Sequence, residues 1–258
     1  LEPGVGETPL WPSVCVTALF SGDTPVGSLT RMLSLVPGVD RPQQVSFRKL
    51  EDRQWERVWL DRFKPLRFGQ GLWVVPGNRE APPEATHVLR LDPGLAFGTG
   101  THPTTSLCLQ WLDQQALSGT QLIDFGCGSG ILGIAALLLG AEQVIGVDND
   151  PQALDATAAN CRKNRIDEQR FPVFLPPAFA AENLPPADGV MANILAGTLI
   201  SLAEQLAGLV RPSGWLLLSG ILCEQSEAVQ QAFTPWFADF EVCTEGDWVR
   251  ITATRSTH

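Results

Sequence analysis

Hydrophobic positions in the C-terminal two-thirds of the chain alternate between two patterns. Short continuous apolar runs, such as Val144-Ile-Gly-Val147 and Trp215-Leu-Leu-Leu218, are typical of strands that are buried on both faces. Longer stretches carry apolar residues every three or four positions and predict amphipathic helices. Because the two patterns alternate with short loops between them, we predict a doubly wound α/β domain built on a mostly parallel sheet.

The expected elements follow one another along this domain. Strands are predicted at 121–125, 143–148, 172–175, 189–192, 215–219, 240–244 and 248–254, which makes a seven-stranded sheet. Helices are predicted at 105–115, 131–139, 151–164, 196–209 and 223–233. The last two strands adjoin without a helix between them, so we expect this pair to be antiparallel.

The first quarter of the chain follows a different pattern. Residues 1–46 are rich in Gly, Pro, Ser and Thr, with one strand expected at 13–20 and a helix near 26–35. Trp55, Trp59 and Phe63 lie four residues apart and predict an amphipathic helix. We therefore predict a small, incomplete α+β N-terminal domain (1–46), a linker helix (47–63) and the α/β domain (64–258), which opens with strands at 66–76 and 86–91.

Composition excludes several classes of protein. The net charge of -10 disfavours broad nucleic-acid binding and favours a basic protein partner. We find neither an apolar run near the ~20 residues that span a membrane nor a secretory leader, so a cytoplasmic protein is expected. The six cysteines and three histidines are scattered without metal-ligand spacing, so neither a disulfide framework nor a metal site is expected.

The strongest chemical signal is Ile123-Asp-Phe-Gly-Cys-Gly-Ser-Gly-Ile-Leu-Gly133. Here a predicted strand ends, and Gly126 and Gly128 permit a tight turn with close backbone approach to a ligand. The N–H groups at the start of the following helix would face that ligand. Asp148 ends the next strand, where its carboxylate could accept both hydroxyls of a ribose.

Two cofactors fit this turn. Gly128-Ser-Gly-Ile-Leu-Gly133 satisfies the dinucleotide pattern G-x-G-x-x-G, so a nicotinamide-dependent oxidoreductase is a competing hypothesis. Three features favour S-adenosyl-L-methionine. Asp124 suits the ammonium of a methionine moiety better than a pyrophosphate, a glycine- and threonine-rich loop at 92–105 precedes the first strand, and Asn193 ends the fourth strand. A tight corner without a ligand is the structural alternative.

Several loop residues are candidates for contacts with the cofactor or substrate. Thr104 or Thr105 is expected to cap the helix that follows Pro103, and this helix terminus could also hold the cofactor's carboxylate. Phe97 could cover the adenine or face a sulfonium, although a plain packing role is equally open. His102 could touch the substrate or be incidental.

Asn193 is the candidate for chemistry. Its amide oxygen can accept a hydrogen bond from an amine, and the Ile194 carbonyl could accept another. A lysine amine, with an ordinary pKa of about 10.4, must lose a proton before it attacks a sulfonium methyl group. Positioning can supply much of the catalysis, and the absence of an evident general base favours transfer to nitrogen over carbon. Alternatively, Asn193 is a turn residue that bonds its own backbone.

Taken together, these motifs resemble a bacterial family of class I S-adenosylmethionine-dependent methyltransferases that act on large-subunit ribosomal protein eleven. The likeness covers about residues 47–258. It rests on Asp92-Pro-Gly-Leu-Ala-Phe-Gly-Thr-Gly-Thr-His-Pro-Thr-Thr105, Asp124-Phe-Gly-Cys-Gly-Ser-Gly-Ile131, Asn193-Ile-Leu-Ala196, Trp55-Glu-Arg-Val-Trp59 and Trp248-Val-Arg-Ile251.

The resemblance implies methylation of lysine and N-terminal amines of a basic ribosomal protein, which a small ferredoxin-like N-terminal domain captures. It implies cofactor contacts at Thr105, Gly126, Asp148 and Asn193, and to these we add Gly128 and Phe97. A monomer without direct nucleic-acid contacts is expected. The alternatives are another amine substrate, an oxidoreductase, and a partner-binding protein without catalysis on the same scaffold.

Overall fold

The computed structural model describes residues 20–21, 24–33, 46–47, 64–77, 79–91 and 102–257. The chain divides into two compact units, Leu1–Trp55 and Glu56–His258. In the first unit, helix α1 (Val26–Leu33) confirms the helix predicted near 26–35. Most of the strand expected at 13–20 and nearly all of the linker helix expected at 47–63 lie outside the described residues. The three-part division of the chain therefore stays a prediction.

The described part of the second unit begins with a small three-stranded sheet in the order β1-β2-β3. Strands β1 (Leu66–Phe68) and β2 (Leu72–Val75) form an antiparallel hairpin, whereas β2 and β3 (His87–Arg90) are parallel. The sequence predicted a single strand over the hairpin. The turn arises because the Asp113 carboxylate accepts hydrogen bonds from two consecutive backbone N–H groups between β1 and β2.

The main sheet has seven strands in the order β6-β5-β4-β7-β8-β10-β9, as the sequence predicted in number and class. Pairs among the first five strands of this order are parallel, and β10 is antiparallel to both of its neighbours. The strands are β4 (Gln121–Phe125), β5 (Gln143–Val147), β6 (Val173–Phe174), β7 (Ala187–Asn193), β8 (Val210–Leu222), β9 (Phe237–Glu245) and β10 (Trp248–Arg255).

The helices follow the predicted pattern with two differences. The helix expected at 196–209 is broken at Leu202, whose backbone leaves the helical region at ψ 7°. A short helix, α5, follows Leu175 and was not predicted, because its six residues are too few to show a period. The helices are α2 (Pro103–Leu112), α3 (Ile131–Leu138), α4 (Pro151–Lys163), α5 (Pro176–Ala181), α6 (Ala196–Ser201), α7 (Ala203–Gly208) and α8 (Ser226–Phe233).

Two hydrophobic cores cover the two faces of the main sheet. On one face, α2 and α3 pack their buried side chains with the small sheet, and Trp111 of α2 meets Trp215 of β8 edge to face at 4.9 Å. On the other face, α6, α7 and α8 bury a second cluster that includes Leu206 and Phe233. Within the described ranges, none of the helices has the length and apolar character that a bilayer crossing requires.

The second core predicts a large effect for one truncation. Leu206→Ala, at a side chain that is fully buried in α7, should lower the free energy of unfolding by about 2–5 kcal/mol because it leaves a cavity. Ile200→Ala, at a side chain that is 41% exposed on α6, is the matched control and should cost less than about 1 kcal/mol. Urea unfolding measures both, and equal midpoints would contradict this account of the core.

Candidate active site

Three predicted site residues meet at the carboxyl edge of the main sheet. Asp124 of β4 pairs with Met191 of β7, so Asn193, two residues further on, lies level with Gly126. On the other side of β4, the register with β5 brings Asp148 to the same level. Since neighbouring strands lie about 4.8 Å apart, Asp148 and Asn193 stand on either side of Gly126, separated by about 10 Å.

The glycine corner after β4 is built as the sequence predicted. Gly126, Gly128 and Gly130 have φ angles of +77°, +54° and +76°, a region that residues with a side chain rarely adopt. The Gly126 N–H donates to the Val147 carbonyl at 2.7 Å, which ties the corner to the end of β5. The chain can therefore reverse within a few residues and begin α3 at Ile131.

Asp148 is held rigidly at the end of β5. Its Oδ2 accepts a hydrogen bond from the Gly128 N–H at 2.9 Å, and its Oδ1 accepts one from the Asp150 N–H at 3.0 Å. Each carboxylate oxygen can accept a further hydrogen bond. The half-buried carboxylate is thus oriented by backbone groups and still able to accept two vicinal hydroxyls.

Asp124 has a different environment. The residue is only 1% exposed, and its Oδ2 accepts a hydrogen bond from the Gly133 N–H of α3 at 2.9 Å. Burial raises the pKa of its carboxyl to about 7, against the effect of this hydrogen bond and with a smaller contribution from nearby Asp148. The observed bond ties α3 to the end of β4, whereas the sequence suggested contact with the ammonium of a ligand.

The start of α2 corrects one prediction. We expected Thr104 or Thr105 as the N-cap, but the helix begins at Pro103 and the cap is His102. The His102 Nδ1 accepts a hydrogen bond from the Thr104 N–H at 3.4 Å, and its ring meets Trp248 edge to face at 4.7 Å. The physical reason is that proline suits the first helical position, which makes the preceding residue the cap.

Thr105 and Asn193 are in direct contact, which the sequence did not predict. The Asn193 Nδ2 donates a long hydrogen bond of 3.4 Å to the Thr105 Oγ1. Thr105 is buried in the first turn of α2, so this bond holds the planar amide against the helix and turns its oxygen away from Thr105. The two side chains therefore form one hydrogen-bonded unit.

Ile194 joins this unit to the glycine corner. A Cβ placed on Gly126 would overlap the Cγ2 of Ile194, so the two residues pack together without room for a side chain between them. Phe97 lies outside the described residues, as does most of the loop at 92–105. Their roles stay predictions.

The described part of the edge offers neither a metal site nor a thiolate nucleophile. Among the described residues, no three His, Cys, Asp or Glu side chains are grouped so as to hold a metal ion. Burial raises the pKa of Cys108 to about 12 and that of Cys161 to about 11, and it also raises the pKa of Cys127. These three buried thiols are therefore neutral near pH 7. The described edge therefore consists of hydrogen-bonding groups, at Asp148, Gly126 and Asn193, that could bind and position a ligand.

Comparisons with known proteins point to one family along almost the whole chain. The family described as Ribosomal protein L11 methyltransferase (PrmA) matches residues 1–256. A ribosomal protein L11 methyltransferase from Pseudomonas paraeruginosa is 53% identical over 98% of this chain and 85% of its own length. The protein of the same name from Azotobacter vinelandii is 52% identical over 98% of this chain and 86% of its own length.

Solved structures that resemble this chain are also methyltransferases. The crystal structure of ribosomal protein L11 methylase from Lactobacillus delbrueckii subsp. bulgaricus is 30% identical, with a TM-score of 0.66 over 75% of this chain and 100% of that chain. The methyltransferase SMU.776, complexed with SAH, has a TM-score of 0.51 over 64% of this chain and 52% of its own. Because SMU.776 is 12% identical, its likeness concerns the fold alone.

The raised pKa of Asp124 predicts how stability depends on pH. Its folded-state pKa of about 7 lies above the ordinary value of 3.8, so the folded protein binds the proton more tightly than the unfolded chain. This carboxyl should therefore make the free energy of unfolding fall as pH rises from about 4 to 7. Asp124→Asn keeps an acceptor for the Gly133 N–H and should flatten that part of the profile, as measured by urea unfolding at several pH values.

Asp188 provides a control, because its pKa is shifted in the opposite direction to that of Asp124. Burial acts to raise the pKa of its carboxyl, but hydrogen bonds from the Gln121 N–H and the Arg211 side chain hold the pKa below the ordinary value. Asp188 should stabilise the fold above the ordinary carboxyl pKa and lose that effect as pH falls towards its lowered pKa. Asp188→Asn should therefore leave the slope between pH 4 and 7 unchanged. If Asp124→Asn left this slope unchanged, Asp124 would not be the group that makes stability depend on pH between 4 and 7.

Proposed function

The chain belongs to the ribosomal protein L11 methyltransferase family, and we propose that it transfers methyl groups from S-adenosyl-L-methionine to lysine and N-terminal amines of ribosomal protein L11. The observation that carries the chemistry is the row of Asp148, Gly126 and Asn193 along one edge of the sheet. This row supports a nucleoside on one side of the glycine corner and an amine on the other.

Three parts of the edge suit the cofactor: Asp148 on the β5 side, the glycine corner itself, and Thr105 at the start of α2. Asp148 would accept the two ribose hydroxyls, while Gly126 and Gly128 would let the backbone approach the methionine moiety. The Thr105 hydroxyl, which accepts the Asn193 N–H, keeps its own proton to donate to a carboxylate at the start of α2. Phe97 is proposed as a further cofactor contact on the basis of sequence alone.

The residues on the β7 side suit an amine nucleophile. The cofactor supplies an electrophilic methyl group on a sulfonium. The Asn193 amide oxygen and the Ile194 carbonyl would accept the N–H groups of the substrate amine and so direct its lone pair. A lysine amine must be neutral to attack, and partial burial lowers its pKa from about 10.4 towards that state.

Positioning is the proposed source of rate enhancement. During transfer the positive charge moves from sulfur to nitrogen, so the site has no need for a carboxylate that takes a proton in the same step. Two fixed acceptors hold the amine in line with the methyl group, which removes the entropy cost of bringing two molecules together. The contact between Thr105 and Asn193 supports this role because it limits rotation of the amide.

The charge of the chain supports a basic substrate. The net charge of -10 would attract a lysine-rich protein and repel phosphate backbones. We propose the N-terminal region, 1–46, as the part that captures the ribosomal protein. A monomeric state, the lack of direct contacts with nucleic acid and a cytoplasmic location remain predictions.

Replacing Asn193 tests the proposed chemistry. With purified ribosomal protein L11 and labelled S-adenosyl-L-methionine, Asn193→Ala should lower kcat by about 10- to 100-fold, because one hydrogen bond to a group gaining charge is lost. The Kd for S-adenosylhomocysteine should change by less than about tenfold. Asn183→Ala, at an exposed position, is the control and should retain transfer.

Two outcomes would overturn the proposal. Absence of transfer by the parent protein to ribosomal protein L11 would favour another amine substrate or a partner-binding protein without catalysis. Full activity of Asn193→Ala would show that the amine is positioned by other groups.

Replacing Asp148 tests the cofactor. Asp148→Ala should weaken binding of S-adenosylhomocysteine by about 10- to 100-fold in calorimetry, since charged hydrogen bonds to the ribose are lost. Asp150→Ala removes the neighbouring carboxylate that caps α4, so it should cost about 1 kcal/mol of stability but change the Kd by less than about threefold. Tighter binding of NADH than of S-adenosylhomocysteine by the parent would favour the oxidoreductase hypothesis instead.

A further inference from the structure

Strand β8 carries a bulge at the level of the proposed reaction centre. Two residues of β8, Ser219 and Gly220, lie opposite the single residue Arg250 of β10, while β7 places Asn193 beside Ser219. Gly220 has a φ of +82°, which is typical of glycine at a bulge, and the buried Ser219 hydroxyl donates to the Val249 carbonyl at 2.9 Å. The bulge is thus locked to β10 and adjoins the end of β7.

Gly220 meets the backbone of Ile194. A Cβ on Gly220 would overlap the carbonyl oxygen of Ile194, and it would lie 2.8 Å from its carbonyl carbon and 3.1 Å from its nitrogen. All three atoms are backbone atoms, so no change of rotamer can relieve the overlap. On the opposite side, Gly126 packs on the side chain of the same residue. Ile194 therefore lies between the glycine corner that follows β4 and the bulge of β8.

We propose that Gly220 is a positioning residue for methyl transfer, whose missing side chain determines where the Ile194 carbonyl stands beside Asn193. The inference rests on the proposed function, because it requires that carbonyl to accept an N–H of the substrate amine. In this role Gly220 acts only through the backbone of Ile194.

The size of the effect follows from the overlap. Carbon atoms in contact lie about 3.5–4.0 Å apart, so a side chain at Gly220 would push the Ile194 backbone away by about 1 Å. A misplacement of this size at an amine acceptor costs about 100-fold in rate. The cofactor groups Asp148 and Gly128 follow β5 and β4, on the far side of β7, and are bonded to each other, so the affinity for the cofactor should fall much less than kcat.

A pair of glycine substitutions separates positioning from backbone strain. Gly220→Ala and Gly246→Ala both place an alanine at a positive φ, but a Cβ at Gly246 would have no atom within 4 Å. We expect kcat on ribosomal protein L11 to fall by about 100-fold in Gly220→Ala and by less than about threefold in Gly246→Ala. The Kd for S-adenosylhomocysteine should change by less than about tenfold in both. Equal kcat in the two variants would overturn the inference.

Truncation of Ile194 gives a second readout. Ile194→Ala removes the Cγ2 that a side chain at Gly126 would meet and leaves the backbone that a side chain at Gly220 would meet. In the Ile194→Ala background, the kcat penalty of Gly126→Ala should therefore shrink, whereas that of Gly220→Ala should persist. If Ile194→Ala restored the kcat of Gly220→Ala, the effect of Gly220 would not be transmitted through the Ile194 backbone.

A loss of kcat must be distinguished from a failure to fold. Thermal unfolding verifies each variant, and Gly220→Asn replaces Gly220→Ala if the latter does not fold, because asparagine tolerates positive φ and still carries a Cβ. Gly220→Asn should show the same loss of kcat, with Gly246→Asn as its control. A parent protein that does not methylate ribosomal protein L11 would overturn the proposed function. An active parent with an equally active Gly220 variant would overturn only the positioning role.

Discussion

The packing of Ile194 between strand ends holds the whole site together. On one side Ile194 meets the glycine corner after β4, and on the other it meets the bulge of β8. Both contacts are possible only where the neighbouring residue has no side chain. They bring the backbone that follows β7 close to the corner that would bind the cofactor. In the proposed mechanism, the distance between methyl donor and amine would therefore depend on the packing of these three strand ends.

Two carboxyl groups at this edge differ because their environments differ. Asp124 is buried beneath the corner, binds the start of α3 and has a raised pKa of about 7. Asp148 lies at the surface of the edge, where two backbone N–H groups orient its oxygens. The first position suits a structural link and the second suits contact with a ligand. The two carboxyl groups lie on neighbouring strands, and the charge of Asp148 contributes to the raised pKa of Asp124.

The chemistry proposed for the family requires little from the protein beyond orientation. The buried thiols are neutral, and the amide of Asn193 is held by Thr105. A rigid amide and a rigid carbonyl can hold an amine in line with a methyl group without exchanging protons with it. A site with neutral acceptors at its centre would therefore be adequate for the proposed transfer to nitrogen.

The sequence by itself determined the class of fold, the corner at Gly126 and the positions of Asp148 and Asn193, because these follow from local periodicity and from residues with unusual backbone freedom. Local patterns gave a wrong prediction at two helix boundaries. The cap of α2 is His102 and neither Thr104 nor Thr105, and the single helix expected at 196–209 is broken at Leu202. Only the tertiary structure decided that Thr105 bonds Asn193 and that Gly220 meets Ile194. Those pairs are far apart along the chain, and the strand register and the bulge that join them leave no periodic trace in the sequence.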